Sequence, residues 1–180
     1  MSIRDEWGTP PELFDKLDDV FHFTLDVCAT KENAKCERYY GPEAVHVNDD
    51  GKTVTRIGNF VDGLAEPWAP HVCWMNPPYS DPGPWLEKAY GESQRGATVV
   101  GPVPNDPSTR WWVNWAMKAS QIVWLIGARV QFVSPPGIKA SSNTSSSVVL
   151  VYWPEAKAKA ASRQTKCFWN WKHKPFENRS

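Results

Sequence analysis

The stretch VCWMNPPYS, residues 72–80, sets two consecutive prolines between an asparagine and a tyrosine, directly behind an apolar run. Proline gives no N–H to a β-ladder and drives the residue before it toward extended geometry. A strand over His71 to Met75 must therefore release the chain, still extended, at Asn76 and Pro77. In a parallel sheet the carboxyl ends of the strands form the edge where ligands bind. The side-chain oxygen of Asn76 and the carbonyl of Pro77 are then two acceptors facing out from that edge, with Pro78 and the ring of Tyr79 beside them.

Outward from this strand the sequence alternates between helix and strand signals. Pro10 or Pro11 opens a helix that runs through Leu13, Phe14, Leu17 and Val20, because proline in a first turn gives up no needed donor. FHFTLDV, residues 21–27, reads as a strand. Gly41-Pro42, Asn48-Asp49-Asp50-Gly51 and Gly58-Asn59 are turn signals around one short hairpin centred on Asp50-Gly51, and residues 44–60 read as a small insertion. A helix is predicted from Trp85 to Ser93, a strand from Ala97 to Val103, a helix from Thr109 to Ala119 and a strand from Gln121 to Ile126. Pro135 to Ser147 is rich in Ser, Pro and Gly and reads as a long exposed loop, followed by the buried strand SVVLVYW over 147–153. The pattern is an α/β chain with a mostly parallel sheet covered by helices on both faces. No internal repeat is present.

The 180 residues suit one domain, 1–180, large enough to bury a substantial core. No apolar run approaches 18 residues, so no membrane span is expected, and the N-terminus lacks the pattern of a secretory signal. The four cysteines form no CxxC pair, which points to a reduced, cytoplasmic setting and no metal. His22, His46, His71 and His173 show no ligand spacing. Asn48 to Gly51 lacks the glutamate and alternation of a calcium loop and reads as a turn. Asn143-Thr-Ser fits a glycosylation sequon, which means little in a cytoplasmic chain. Formal net charge is zero, but it is unevenly distributed: residues 1–66 hold 14 Asp+Glu against 7 Lys+Arg, and residues 156–180 hold 7 Lys+Arg against Glu177 alone. That tail interleaves its bases with Phe168, Trp169, Trp171 and Phe176. It reads either as a nucleic-acid contact, with cations on phosphates and rings on bases, or as a solvated basic terminus whose aromatics dock on the core.

A ligand matched to two acceptors beside an aromatic ring carries an NH₂ group on a flat ring, and N6 of adenine is such a group. Its lone pair is delocalised into the ring, which makes it a poor nucleophile. Two acceptors holding its hydrogens favour a pyramidal nitrogen and aim the lone pair at an electrophile, catalysis by orientation and preset electrostatics. Asn76 is a neutral amide and no base, so the proton leaves late, to water. Stacking of Tyr79 on an extruded base is worth roughly 1–3 kcal/mol, set against a few kcal/mol for the extrusion.

NPPY behind an apolar strand resembles the motif of amino-group methyltransferases that use S-adenosylmethionine. More closely, EWGTPPELFDKLDDVFHFTLDVCATKENAKCERYYGPE, DGLAEPW, CWMNPPYS, GATVVGPVPNDPSTRWW and ARVQF, in that order from Glu6 to Phe132, resemble the phage-type DNA N6-adenine methyltransferase (Dam) family, and SSSVVLVYWP continues the match. The resemblance implies a Rossmann-like class I methyltransferase fold and S-adenosylmethionine as donor, with S-adenosylhomocysteine as product. It implies double-stranded DNA as substrate and catalysis at Asn76, Pro77, Pro78 and Tyr79. Trp7, Thr9 and Pro10 fall in the family's N-terminal cofactor segment. Asp26, Cys28 and Ala29 fall around the methionine moiety, Asp62 of DGL at the adenosine, and Asn76 borders the donor as well. Arg110 and Trp111 would reach the flipped base or the DNA backbone, with Asp106 and Thr109 shaping the loop; the same residues also read as an ordinary helix N-cap. Arg129 would clamp a phosphate or pair with an acidic N-terminal residue. Lys139 and Ser141, in a DNA-contacting loop at 134–147, and the tail at 156–180 complete the expected DNA surface. Two departures stand out. Cys28-Ala29 replaces the close-approach glycines of the usual FxGxG, and the stretch 44–61 lengthens the spacing before DGL, a change able to displace Asp62 from that role.

Two other readings fit parts of this pattern. One is the same chemistry on another NH₂ group, in RNA adenine, cytosine N4 or a protein glutamine. The other is a non-catalytic DNA-binding relative. The resemblance further implies a phage- or prophage-encoded protein of the bacterial cytoplasm, monomeric or weakly dimeric, with a role in restriction-modification or protection from it.

Overall fold

A computed structural model describes residues 7–41, 45–47, 54–56, 61–134, 144–155, 157–158 and 164–177. In chain order its strands are β1 (Leu25–Asp26), β2 (Val45–Val47), β3 (Val54–Arg56), β4 (Val72–Trp74), β5 (Thr98–Pro104), β6 (Gln121–Leu125), β7 (Val130–Gln131), β8 (Thr144–Ser145), β9 (Ser147–Tyr152) and β10 (Thr165–Trp169). Six of them form one mixed, mostly parallel sheet in the order β1-β4-β5-β9-β6-β10, with β9 antiparallel to both neighbours and the remaining pairs parallel.

Helices cover both faces because the strands are apolar on both. Along β9 every residue is buried, and successive side chains enter different cores. Val148, Leu150 and Tyr152 pack with Leu86 and Ala89 of α2 (Gly83–Gln94) and Trp112 of α3 (Arg110–Asn114). Val149 and Val151 pack with Leu13, Phe14, Leu17 and Phe21 of α1 (Pro11–Phe21). Proline sits in the first turn of both α1 and α2, where its missing N–H costs nothing.

Several predicted elements differ in extent. FHFTLDV contributes only Leu25 and Asp26 to a strand: Phe21 is the last residue of α1, and His22 adopts the left-handed φ of 55° that ends it. The Asp18 carboxylate then takes the Phe23 N–H at 2.7 Å, and the Phe21 and Phe23 rings pile against each other beneath the helix rather than alternating across a sheet. The helix predicted over 109–119 breaks at Trp115 into α3 and one 3₁₀ turn, Ala116–Lys118. Of the loop predicted over 135–147, residues 135–143 lie outside the described residues; Thr144 and Ser145 form β8 against β7, and Ser147 opens β9. β2 and β3 pair antiparallel, Val45 with Arg56 and Val47 with Val54, as a hairpin requires; the expected turn at Asp50-Gly51 lies outside the described residues.

The tail supplies an unexpected edge strand, β10, parallel to β6. Trp169, Trp171 and Phe176 are buried on the α1 side, so these aromatics dock on the core; Phe168 is 72% exposed. Among the described residues no helix is long and apolar enough to cross a membrane.

Candidate active site

β4 ends under a constraint set by its neighbour. At Gly101 in β5 an added Cβ would lie 1.7 Å from the Met75 carbonyl oxygen, so only glycine lets β5 run beneath the point where the chain leaves β4. The Met75 N–H still donates to the Val100 carbonyl at 2.9 Å, and the next residue, Asn76, lies half-buried at the carboxyl edge. Its Nδ2 donates to the Trp7 carbonyl at 2.8 Å, across 69 residues of sequence. That bond fixes the amide and makes Oδ1 the other end of a held group. Trp7 is itself held: Gly8 and Val133 exchange backbone hydrogen bonds of 2.9 and 2.8 Å, which lays the N-terminal segment along the chain after β7.

Pro77 is buried, Pro78 is half-buried, and Tyr79 turns its ring edge-on to Phe132, with centroids 5.1 Å apart at 73°. The Tyr79 hydroxyl lies 3.3 Å from the Ser147 hydroxyl at the start of β9. Burial pushes the phenol well above its ordinary pKa, with the Ser147 contact opposing weakly, so Tyr79 stays neutral. Two buried polar atoms of the N-terminal segment, Trp7 Nε1 and Thr9 Oγ1, have no partner among the described residues. Pro10, half-buried, leads from them into α1.

β1 ends alongside. Asp26 pairs with Trp74, and the Val27 N–H donates to the Trp74 carbonyl at 3.0 Å, so both strands release their chains at one level. The Asp26 carboxylate is 1% exposed and accepts the backbone N–H groups of Cys28 at 3.2 Å and Lys35 at 3.0 Å, tying the turn that carries half-buried Cys28 and buried Ala29. Burial pushes its pKa up to about 6; the two amides and the Lys35 ammonium pull against that without overcoming it.

The lengthened stretch does not carry DGL away from this edge. The Val61 N–H donates to the Gly41 carbonyl at 3.2 Å, and a Cβ on Gly63 would lie 2.1 Å from the Val27 carbonyl oxygen. Glycine is needed at 63 because the backbone passes directly over the end of β1. Asp62 is exposed there, its Oδ1 accepting the Leu64 N–H at 2.9 Å.

Three more predicted residues follow strands that end at this edge, Arg110 and Trp111 after β5 and Arg129 after β6. Arg110 is exposed at the start of α3, and Trp111 is half-buried with its Cβ 3.3 Å from the Cβ position of Gly83 in α2. Ordinary capping is not what precedes them. Thr109 occupies the cap position without a side-chain cap bond, and Asp106 instead accepts from Ser108 N at 3.3 Å and Ser108 Oγ at 2.6 Å. Arg129 is exposed between β6 and β7. Lys139 and Ser141 lie outside the described residues. Phe132 and Ser147 were not singled out by sequence. Phe132 sat inside ARVQF and Ser147 at the border of a loop, and only the fold brings them to Tyr79.

The sequence model of the family described as DNA N-6-adenine-methyltransferase (Dam) matches residues 1–167. A DNA N-6-adenine-methyltransferase of Haemophilus phage HP1 is 29% identical over 159 residues, covering 86% of this chain and 82% of that protein. A DNA N-6-adenine-methyltransferase of Escherichia phage T1 is 29% identical over 127 residues, covering 69% of this chain and 46% of that protein.

Proposed function

Since the chain belongs to the DNA N-6-adenine-methyltransferase (Dam) family, we propose that it transfers a methyl group from S-adenosylmethionine to N6 of adenine in double-stranded DNA. The observation that carries this reading is the held amide of Asn76 at the carboxyl end of β4. With Nδ2 committed to Trp7, Oδ1 and the Pro77 carbonyl accept the two hydrogens of the adenine amine. They aim its lone pair, and N–C bond formation precedes loss of a proton to water. Preset acceptors of this kind need no reorganisation as charge develops on the amine. Tyr79, backed by Phe132 and anchored on Ser147, packs against the extruded base.

The buried polar atoms fit the donor. Trp7 Nε1 and Thr9 Oγ1 have no partner among the described residues and suit an amino-acid or ribose group, and exposed Asp62 suits hydroxyls of a ribose. Pro10 follows Thr9 into α1, and Cys28 and Ala29 sit on the turn that Asp26 holds at the end of β1. When bound, S-adenosylmethionine supplies an electrophilic methyl on a sulfonium and leaves as S-adenosylhomocysteine. Arg110, Trp111 and Arg129, with Lys139 and Ser141, contact the DNA. A Rossmann-like class I fold in one domain over 1–180, with 44–60 as an insertion, agrees with the six-stranded sheet and its two helical layers. The protein acts in the cytoplasm of a bacterial host as a monomer or weak dimer.

The test is Asn76→Ala. Calorimetry should show retained S-adenosylmethionine binding, while tritiated methyl transfer to unmethylated DNA drops by about a thousandfold, the scale of losing a preset polar contact to the transition state. Full activity in that variant removes Asn76 from the reaction. Parallel assays with RNA and protein acceptors, followed by nucleoside analysis of the DNA, separate adenine N6 from the other amines.

A further inference from the structure

The outer edge of the sheet carries a concavity that the proposed reaction does not use. At the far end of the sheet, along the outermost strand β10, a groove of about 690 Å³ is lined by residues that include Ile126, Lys166, Phe168, Asn170 and Lys174. Phe168 is 72% exposed, and its register partner on β6 is Trp124; the two rings lie 5.6 Å apart and tilted by 39°. Exposed Lys166 shares the Phe168 face of the strand, because side chains two apart point the same way. Cys167 and Trp169 turn to the opposite face, into the core under α1. Lys174 is brought round by the turn after β10, pinned where Trp169 Nε1 donates to the Lys174 and Pro175 carbonyls, both at 3.1 Å. Asn170 Oδ1 is buried with no partner among the described residues. Glu177 is the one acid in the lining.

An exposed ring flanked by ammonium groups, in a tail with 7 Lys+Arg against one acid, matches a polyanion that also offers apolar sugar faces. We propose that this groove holds the duplex flanking the target adenine. Lys166 and Lys174 take up phosphates, and Phe168 lies against a deoxyribose. The proposal rests on the reading of the chain as a DNA methyltransferase and adds where the DNA runs. β10 lies four strand positions from β4 in the order β4-β5-β9-β6-β10. At about 4.8 Å per strand this is roughly 19 Å, and at about 3.4 Å of rise per base pair it corresponds to five or six base pairs. The groove therefore engages only DNA that extends about that far beyond the target on one side.

The experiment compares duplexes with four and with twelve base pairs on each side of the target adenine, for wild type and for a Lys166→Ala/Phe168→Ala/Lys174→Ala variant. Wild type should have a KM about tenfold lower on the longer duplex. The variant should lose that difference, keep kcat, and show a salt slope of log KM shallower by about two, one for each lysine removed. Because all three side chains are exposed, an unchanged melting temperature certifies the fold. A variant that keeps both the length dependence and the salt slope overturns the groove assignment. So does a shift from dimer to monomer in sedimentation with length dependence intact, which would make this edge an interface between copies. If wild type methylates no DNA, the function falls instead. Fluorescence anisotropy on the same duplexes then decides the groove alone: it stands if tighter binding of the long duplex disappears in the variant, and falls if it does not.

Discussion

Two carboxylates are almost wholly buried at opposite edges of the same sheet, and the chain treats them differently. Glu92, at the amino edge, meets the Lys88 ammonium at 2.8 Å and Arg95 at 2.9 Å, and accepts the Trp68 and Ala69 N–H groups at 2.9 and 3.2 Å. Burial alone would raise its pKa; Lys88 and the two amides outweigh burial and hold it below the usual carboxylate value. Asp26, at the carboxyl edge, is held by two amides, and burial wins. Trp7 Nε1 and Thr9 Oγ1 nearby also have no partner among the described residues. On the reading proposed above, the amino edge serves stability and the carboxyl edge a ligand. Gln121 departs from this division: its amide is buried at the start of β6 without a partner among the described residues, and nothing in the structure explains it.

The contrast is broken hardest at Glu92. Glu92→Ala strands two amides and leaves Lys88 unpaired, and should cost about 4 kcal/mol in denaturant unfolding while sparing turnover per folded molecule. Unfolding at the wild-type midpoint would show that this edge is not the structural one.

Asp26 gives the next largest effect, and a pH signature. Its raised pKa means that the fold favours the protonated form. Its contribution to stability is fully present below about pH 4 and lost as pH rises through about 6. The span from the ordinary carboxyl value of 3.8 to about 6 corresponds to roughly 3 kcal/mol. Asp26→Asn keeps one acceptor and removes the charge, so its melting temperature relative to wild type should climb between pH 4 and 7, while affinity for S-adenosylmethionine falls. A gap that does not vary with pH would mean that Asp26 is not strained by its burial.

Ser147 sharpens the contrast at the smallest scale. Ser147→Ala removes one contact to Tyr79 and should cost about 1 kcal/mol. At this edge the loss belongs in kcat, about five-fold, and not in the melting temperature or in KM for S-adenosylmethionine. The reverse split would make the Tyr79–Ser147 contact structural.

Most of this organisation could be read from sequence where one local rule acted alone. Proline in the first turn marked α1 and α2, an apolar run marked β9, and prolines behind Trp74 marked the end of β4. β10 was missed because its alternation, with Lys166 and Phe168 out and Trp169 in, lies inside a stretch whose basic charge reads as solvated surface. β1 was read too long because the Phe21 and Phe23 rings, apolar like a strand, serve the core below α1. The contacts that build the site were invisible for a different reason. Trp7 to Asn76 and Tyr79 to Ser147 join residues 69 and 68 apart, and no periodicity records such pairs.

The bond from Asn76 to Trp7 also bears on how long the enzyme lasts. Hydrolysis of the amide to a carboxylate would set two acceptors against each other at 2.8 Å, so an aspartate there must repel the N-terminal segment or carry a proton. The usual route to such ageing is attack on the side chain by the next residue's backbone nitrogen. Pro77 has no N–H with which to make that attack, so the residue that shapes the pocket also shields its neighbour from slow deamidation.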